Sequence, residues 1–227
     1  MQGNARQSSS GCGRPDVLES AAPGLHFPRG GPPGTPAGYP TVFNSPSGPP
    51  HGPLHRRPKA EAGLGPDVTK ELEADRLPDS DMVRTIDPPP DIPDMDGFDD
   101  GLQHPVVLPH CIPTVISYTI TAAAPTPSPP MVVNVWFDWN RDGDWQDTSD
   151  CAGVTAPEWA VQNQLIPPLL PGPHVIVTTA FLPYNPHTDK PIWMRITLSE
   201  QIAPSPEDGR GPPNGYDLGE TEDYYLE

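Results

Sequence analysis

Oxygen-bearing side chains recur at every second position through Asp138, Asn140 and Asp142; Gly143 follows, and Asp144 and Asp147 continue the series. A hard divalent cation such as Ca2+ takes about six to eight oxygens, and a D-x-[DN]-x-[DN]-G loop supplies three while its glycine allows the sharp turn. The chemistry expected here is cation coordination, with calcium favoured over magnesium. Two features separate the stretch from a helix-loop-helix calcium site: no amphipathic helix precedes Asp138, and the twelfth position is Ser149 rather than Glu. The competing reading is a polar turn between strands, since Asp, Asn and Gly are ordinary turn residues. Against it, carboxylates crowded this closely repel one another unless a cation lies among them.

A second acidic stretch lies upstream. Asp87, Asp91, Asp94, Asp96, Asp99 and Asp100 occur with no basic residue among them, and Asp94, Asp96, Asp99 and Asp100 alternate around Gly97 and Gly101 as the first loop does. These four are candidate metal ligands, and the alternative is a solvated linker interrupted by Pro88, Pro89, Pro90 and Pro93.

The elements that position these residues read as strands. Val115 to Thr121, Met131 to Phe137, His174 to Phe181 and Ile192 to Leu198 carry β-branched and aromatic residues with period-two alternation, and Tyr224 to Leu226 fits a last strand. The only helix-compatible window is Asp67 to Asp75, and the 37 prolines are incompatible with helices of ordinary length elsewhere. Strands separated by Pro- and Gly-rich loops without helical spacers predict an all-β chain, an antiparallel β-sandwich. In front of it lies a long irregular arm. Three regions follow: a Pro/Gly-rich extended arm at 1–58, an acidic irregular segment packed on the domain at 59–110, and the sandwich at 111–227.

Charge is unevenly distributed. Residues 1–63 hold six Lys or Arg against three Asp or Glu, while 64–227 hold seven against 27. The acidity belongs to the folded part, which disfavours nucleic acid and anionic membranes and favours cations or basic protein surfaces. No run of about 18 apolar residues occurs, so no membrane-spanning helix is expected, and the first residues lack the apolar core of an export signal. Of the three cysteines, Cys12 lies in the arm, whereas Cys111 and Cys151 suit a disulfide closing a loop of about 40 residues, worth roughly 3 to 4 kcal/mol. Two buried free thiols are the alternative. No C-x-x-C spacing indicates zinc.

Motifs of catalysis are missing: there is no G-x-S-x-G, no H-E-x-x-H, no phosphate loop and no dinucleotide fingerprint. An enzyme is not expected.

The loop from Trp136, the strand Arg195-Ile196-Thr197-Leu198-Ser199 and the end Gly219-Glu220-Thr221-Glu222-Asp223-Tyr224 occur in an order and spacing that resembles the GEVED domain of secreted and surface bacterial proteins. Upstream, Tyr39-Pro40-Thr41, His55, Leu64-Gly65, Glu73-Ala74-Asp75 and Asp99-Asp100-Gly101 look like segments that such proteins carry, so the resemblance runs over about 39–227. Thr221 departs from the usual Val, and the arm does not look like the family's acidic opening. The resemblance implies a β-sandwich outside the cell. It also suggests that Glu220, Glu222 and Asp223 fold back towards the loop as further metal ligands, with Glu220 and Asp223 serving structure as well.

The expected function is an extracellular or cell-surface module stabilised by Ca2+, its partner a second copy bound through the arm, giving a filament or surface layer, or another surface protein. The alternative is a carbohydrate-binding module, in which rings among Trp136, Trp139, Trp145, Trp159 and Trp193 would stack on a glycan.

Overall fold

The computed structural model describes residues 27–28, 36–37, 53, 55–57, 61–66, 100–123, 130–142, 145–203, 209, 211–212 and 214–226. The helix-compatible window at 67–75, Cys12 and most of the arm lie outside these. Eleven strands run through the described residues: β1 (Phe27–Pro28), β2 (Pro36–Ala37), β3 (Ala62–Leu64), β4 (Ser117–Ala122), β5 (Val132–Phe137), β6 (Thr148–Cys151), β7 (Val154–Pro157), β8 (Trp159–Leu165), β9 (Gly172–Val177), β10 (Ile192–Ser199) and β11 (Glu220–Leu226). All pairings between them are antiparallel.

Two sheets form the sandwich, one ordered β11-β10-β5-β8 and the other β3-β4-β9. Alternation on β4 sends Tyr118, Ile120 and Ala122 inwards, where they meet Val133, Val135 and Phe137 of β5 and Met194, Ile196 and Leu198 of β10 in one apolar core. Both faces of β5 and β10 are buried, so these strands read as nearly continuous apolar runs. Their outer faces carry a second, aromatic cluster of Trp136, Trp145, Trp159 and Trp193 with Ala203. Within it Trp136 and Trp159, paired across β5 and β8, stack at 5.9 Å.

The architecture is the all-β sandwich that the strand pattern predicts, with some boundaries moved. The strand expected over His174 to Phe181 ends at Val177, and Phe181 makes only an isolated bridge to Thr114. The hairpin β6-β7 and the edge strand β8, Trp-Ala-Val-Gln-Asn-Gln-Leu, were not legible. β8 is half exposed, and its amides serve a bulge instead of a core. There the buried Asn134 accepts from the Trp159 indole at 2.9 Å and from the Asn163 backbone at 2.7 Å, where β5 and β8 slip in register.

Cys111 and Cys151 are joined in a disulfide, which ties the segment leading into β4 to the tip of the β6-β7 hairpin. That tip is a two-residue turn with Ala152 at φ 55° and Gly153 at φ 89°. Two consecutive positive φ values match a type I′ turn, for which Asn-Gly is preferred and Ala is poorly suited. Ala152→Asn is therefore expected to stabilise the protein by about 0.5 to 1 kcal/mol, read as a rise of a few degrees in the thermal midpoint. An unchanged or lower midpoint would count against this account of the turn.

Candidate metal centre and the acids of the last strand

β5 delivers the loop by ending at Phe137, after which the backbone N–H of Asp138 donates to Trp193 O at 3.1 Å. The Asp138 side chain is fully buried, and its Oδ1 accepts from Asp142 N at 3.1 Å. Asn140 sits at the middle of the cluster. Its Oδ1 accepts the same Asp142 N–H at 3.0 Å, while its Nδ2 donates to Asp142 Oδ2 at 2.9 Å and to Asp147 Oδ2 at 2.7 Å. A neutral amide donor thus stands between two carboxylates, where a positive charge would be most strongly favoured.

The structure adds a residue that the sequence did not mark. Glu158, between β7 and β8 and only 1 % exposed, accepts from Asp147 N at 3.1 Å and from Asn140 N at 3.5 Å. Burial, reinforced by the charges of Asp138 and Asp142, pushes its carboxyl up to about 9, against the two backbone donors. Glu158 follows the loop by some eleven residues in a run without the loop's pattern, so only the pairing of β8 with β5 reveals it. Gly143 and Asp144 lie outside the described residues, and among the described residues no three acidic, His or Cys side chains already surround a common point as metal ligands do.

Two side chains hold the loop in place. Trp139 packs on Phe137 at 4.5 Å and donates its indole N–H to Pro157 O at 3.0 Å. Arg141, at φ 63°, donates from its guanidinium to Trp139 O, Asn185 Oδ1, His187 O, Lys190 O and Pro191 O at 2.9 to 3.2 Å. These bonds tie the loop to the segment from Asn185 to Pro191.

Glu220 and Asp223 are not brought to this loop, which corrects the fold-back expected for them. Glu220 stands opposite Leu198, five residues along β10 from Trp193, a separation of roughly 16 Å at about 3.3 Å per residue. Its Oε2 accepts from Leu64 N of β3 at 2.9 Å. Glu222 accepts from Asp100 N at 3.2 Å, Gly101 N at 3.1 Å and Tyr224 OH at 2.7 Å. Burial, with Asp100 adding to it, pushes Glu222 up to about 8. Asp223 points to the opposite face and forms a buried two-pronged pair with Arg195, at 2.7 and 2.6 Å.

Of the upstream acids, Asp94, Asp96 and Asp99 lie outside the described residues. Asp100 abuts Gly65, whose φ of 58° and lack of a side chain allow the approach: a Cβ there would meet Asp100 Oδ1 at 1.5 Å. Asp100 therefore packs against β3 and the last strand, away from the Asp138 loop.

The departure at Thr221 has a partner. His55 donates from Nδ1 to Leu218 O at 2.9 Å, which leaves Nε2 to accept from Thr221 Oγ1 at 2.9 Å; Thr221 in turn meets Thr197 Oγ1 at 2.9 Å. Stacked on Tyr216 at 5.0 Å, the ring is held neutral, its pKa pulled down to about 4, chiefly by burial.

All five tryptophans are buried, none more than 6 % exposed, so none offers a ring face to a glycan.

Residues 132–227 match the family model described as the GEVED domain. No curated protein and no solved structure matches the chain.

Three outcomes follow from this geometry. Asp223→Asn leaves the Arg195 guanidinium buried without its counter-charge, and a loss of about 3 to 5 kcal/mol is expected in denaturant unfolding. Arg195→Lys forfeits the two-pronged geometry and is expected to be destabilising as well. For His55 the unfolded chain binds the proton more tightly than the folded one. Its contribution is therefore complete above the ordinary value of 6.5 and lost as pH falls from there towards about 4, with a slope approaching about 1.4 kcal/mol per pH unit. Comparing His55→Gln with the wild type by urea unfolding across this range isolates the effect; parallel pH profiles would overturn the assignment.

Proposed function

We propose, from the premise that residues 132–227 are a GEVED domain, that this chain is an extracellular, non-catalytic structural or interaction module whose Asp138 loop binds calcium. One observation carries the metal reading: the Asn140 side-chain amide donates to Asp142 and Asp147, Asp138 accepts from Asp142 N, and the buried Glu158 accepts from Asn140 N and Asp147 N, so that four carboxylates border one loop. All are hard oxygen donors, which suits calcium or magnesium and not zinc or copper. With calcium bound, the Asn140 amide would rotate to present its oxygen, and the metal would offset the burial and the neighbouring charges that push the Glu158 carboxyl up. The metal's role is to neutralise and stiffen the junction of β5, β8 and the β6-β7 hairpin. The Cys111–Cys151 disulfide supports an oxidising, extracellular setting.

If the site has a Kd of about 0.1 to 1 mM, as extracellular sites often do, millimolar calcium adds about 0.4 to 1.4 kcal/mol of stability. The melting temperature of the wild type is expected to rise with calcium relative to chelator, and Asp142→Ala or Glu158→Gln should abolish the rise. An equal calcium shift in Asp142→Ala would place the metal elsewhere.

The assembly we propose is homopolymeric, with the basic Pro-rich arm of one subunit docking on the acidic body of the next; a contact of this head-to-tail kind does not close and so makes a filament. Negative-stain electron microscopy of the full chain in millimolar calcium is expected to show regular filaments that disperse when residues 1–50 are deleted. Dispersed single particles of the full chain would reject arm-mediated polymerisation.

A further inference from the structure

A chain with a net charge of −17 has no Asp, Glu, Lys or Arg from Gly101 to Phe137, nor from Trp159 to Thr188. These two stretches supply β4 and β9, two of the three strands in the second sheet. On the outer face of that sheet, Ser117, Thr119 and Thr121 of β4 stand opposite Val177, Val175 and Pro173 of β9. Val175 is 63 % exposed and Val177 51 %, and Leu170 beside them is 73 % exposed. β9 is also an edge, paired with β4 alone among the described residues. Soluble proteins ordinarily guard such an edge with Lys or another charge; here there is none, although the rest of the body is crowded with them.

The hydrogen-bonding groups along this edge specify what fits it. Thr178 N donates to Ile116 O across the β4-β9 ladder, so the backbone groups of even-numbered residues of β9 face β4 and those of Pro173, Val175 and Val177 face outwards. The outward carbonyl of Val177 is already taken by Gln164 Nε2 at 2.9 Å, and the next outward N–H, of Thr179, donates to Gln164 Oε1 at 2.8 Å. This closes the edge beyond Val177. What remains is Pro173 C=O, Val175 N–H and C=O, and Val177 N–H.

We infer that this edge is a self-association surface, on which β9 of a second copy pairs antiparallel about a two-fold axis at Val175. In that register each Val175 exchanges two hydrogen bonds with its counterpart, and each Val177 N–H donates to the Pro173 C=O of the other copy. The one N–H that proline cannot supply falls opposite the Val177 carbonyl, which Gln164 already satisfies. A strand of unrelated sequence has no reason to lack a donor at that point; a second copy lacks it by construction. The contact is isologous and closes after two subunits, giving one six-stranded sheet with Val175 beside Val175 and Pro173 beside Val177 on a common apolar face. It also lets two strongly acidic chains approach through their charge-free sides. This goes beyond the arm-mediated filament and is independent of both that contact and the calcium loop.

The two contacts have opposite salt dependence. Pairing of like-charged bodies through an apolar edge strengthens as salt screens their repulsion, whereas a basic arm on an acidic body weakens. Sedimentation velocity of the full chain at about 100 μM is expected to show a dimer fraction that rises between about 20 and 300 mM NaCl. Val175→Lys, at an exposed position, should abolish this salt-promoted dimer fraction, and Val154→Lys on the β6-β7 hairpin should dimerise as the wild type does. Hydrogen exchange on the wild type adds a readout that needs no variant: the Val175 and Val177 amides should slow with rising protein concentration. A chain monomeric at every salt concentration, a Val175→Lys variant that still dimerises, or protection of these amides independent of concentration would each overturn the inference. The last outcome would mean that a segment of the same chain covers the edge.

Discussion

Three carboxylates on a single strand, Glu220, Glu222 and Asp223, are held out of water, and the way each is satisfied organises the whole sandwich. Desolvating a carboxylate is costly unless hydrogen bonds or a counter-charge replace its water. Period-two alternation sends Glu220 and Glu222 to the face where β3 and the Asp100–Leu102 segment arrive, and Asp223 to the face of Arg195 and the tryptophans. The inward acids take backbone N–H groups from segments distant in sequence, while Tyr224 caps Glu222 with its hydroxyl and accepts from Leu102 N at 3.0 Å. The acidic motif is thus a set of acceptors that recruits upstream backbone, and the outward acid fixes the strand beside it.

Arg195 links the two halves of this arrangement. It lies between Trp136 and Asp223 across three paired strands, and its guanidinium approaches the Trp145 ring at 5.9 Å. Trp145 belongs to the loop that begins at Asp138, so the loop reaches the aromatic cluster beside the buried ion pair. Removing water from this region strengthens each electrostatic contact in it, which is why the same burial that holds Asp223 to Arg195 keeps Glu158 protonated.

The loop itself shows two uses of charge. Arg141 donates to backbone carbonyls and to Asn185 Oδ1, while the Asn140 amide donates to the carboxylates of Asp142 and Asp147. The opposite sheet is built without charge on its strands β4 and β9, so the molecule divides into an electrostatic side and an apolar side.

The sequence by itself determined the class of fold, the disulfide partners and the acids of the Asp138 loop, because strand alternation, cysteine placement and the every-second-residue spacing are local properties of the chain. It left open which carboxylates meet. Glu158 joins Asp138 because β8 folds back along β5, and Glu220 lies far from the loop because register fixes it opposite Leu198. Both facts depend on pairing between strands that no local pattern encodes. The same holds for Thr221, which reads as an ordinary departure until His55 and Thr197 are found on either side of it. Local chemistry chose the residue types; the long-range ladder, one residue of register at a time, decided which of them face each other and which are sealed from water.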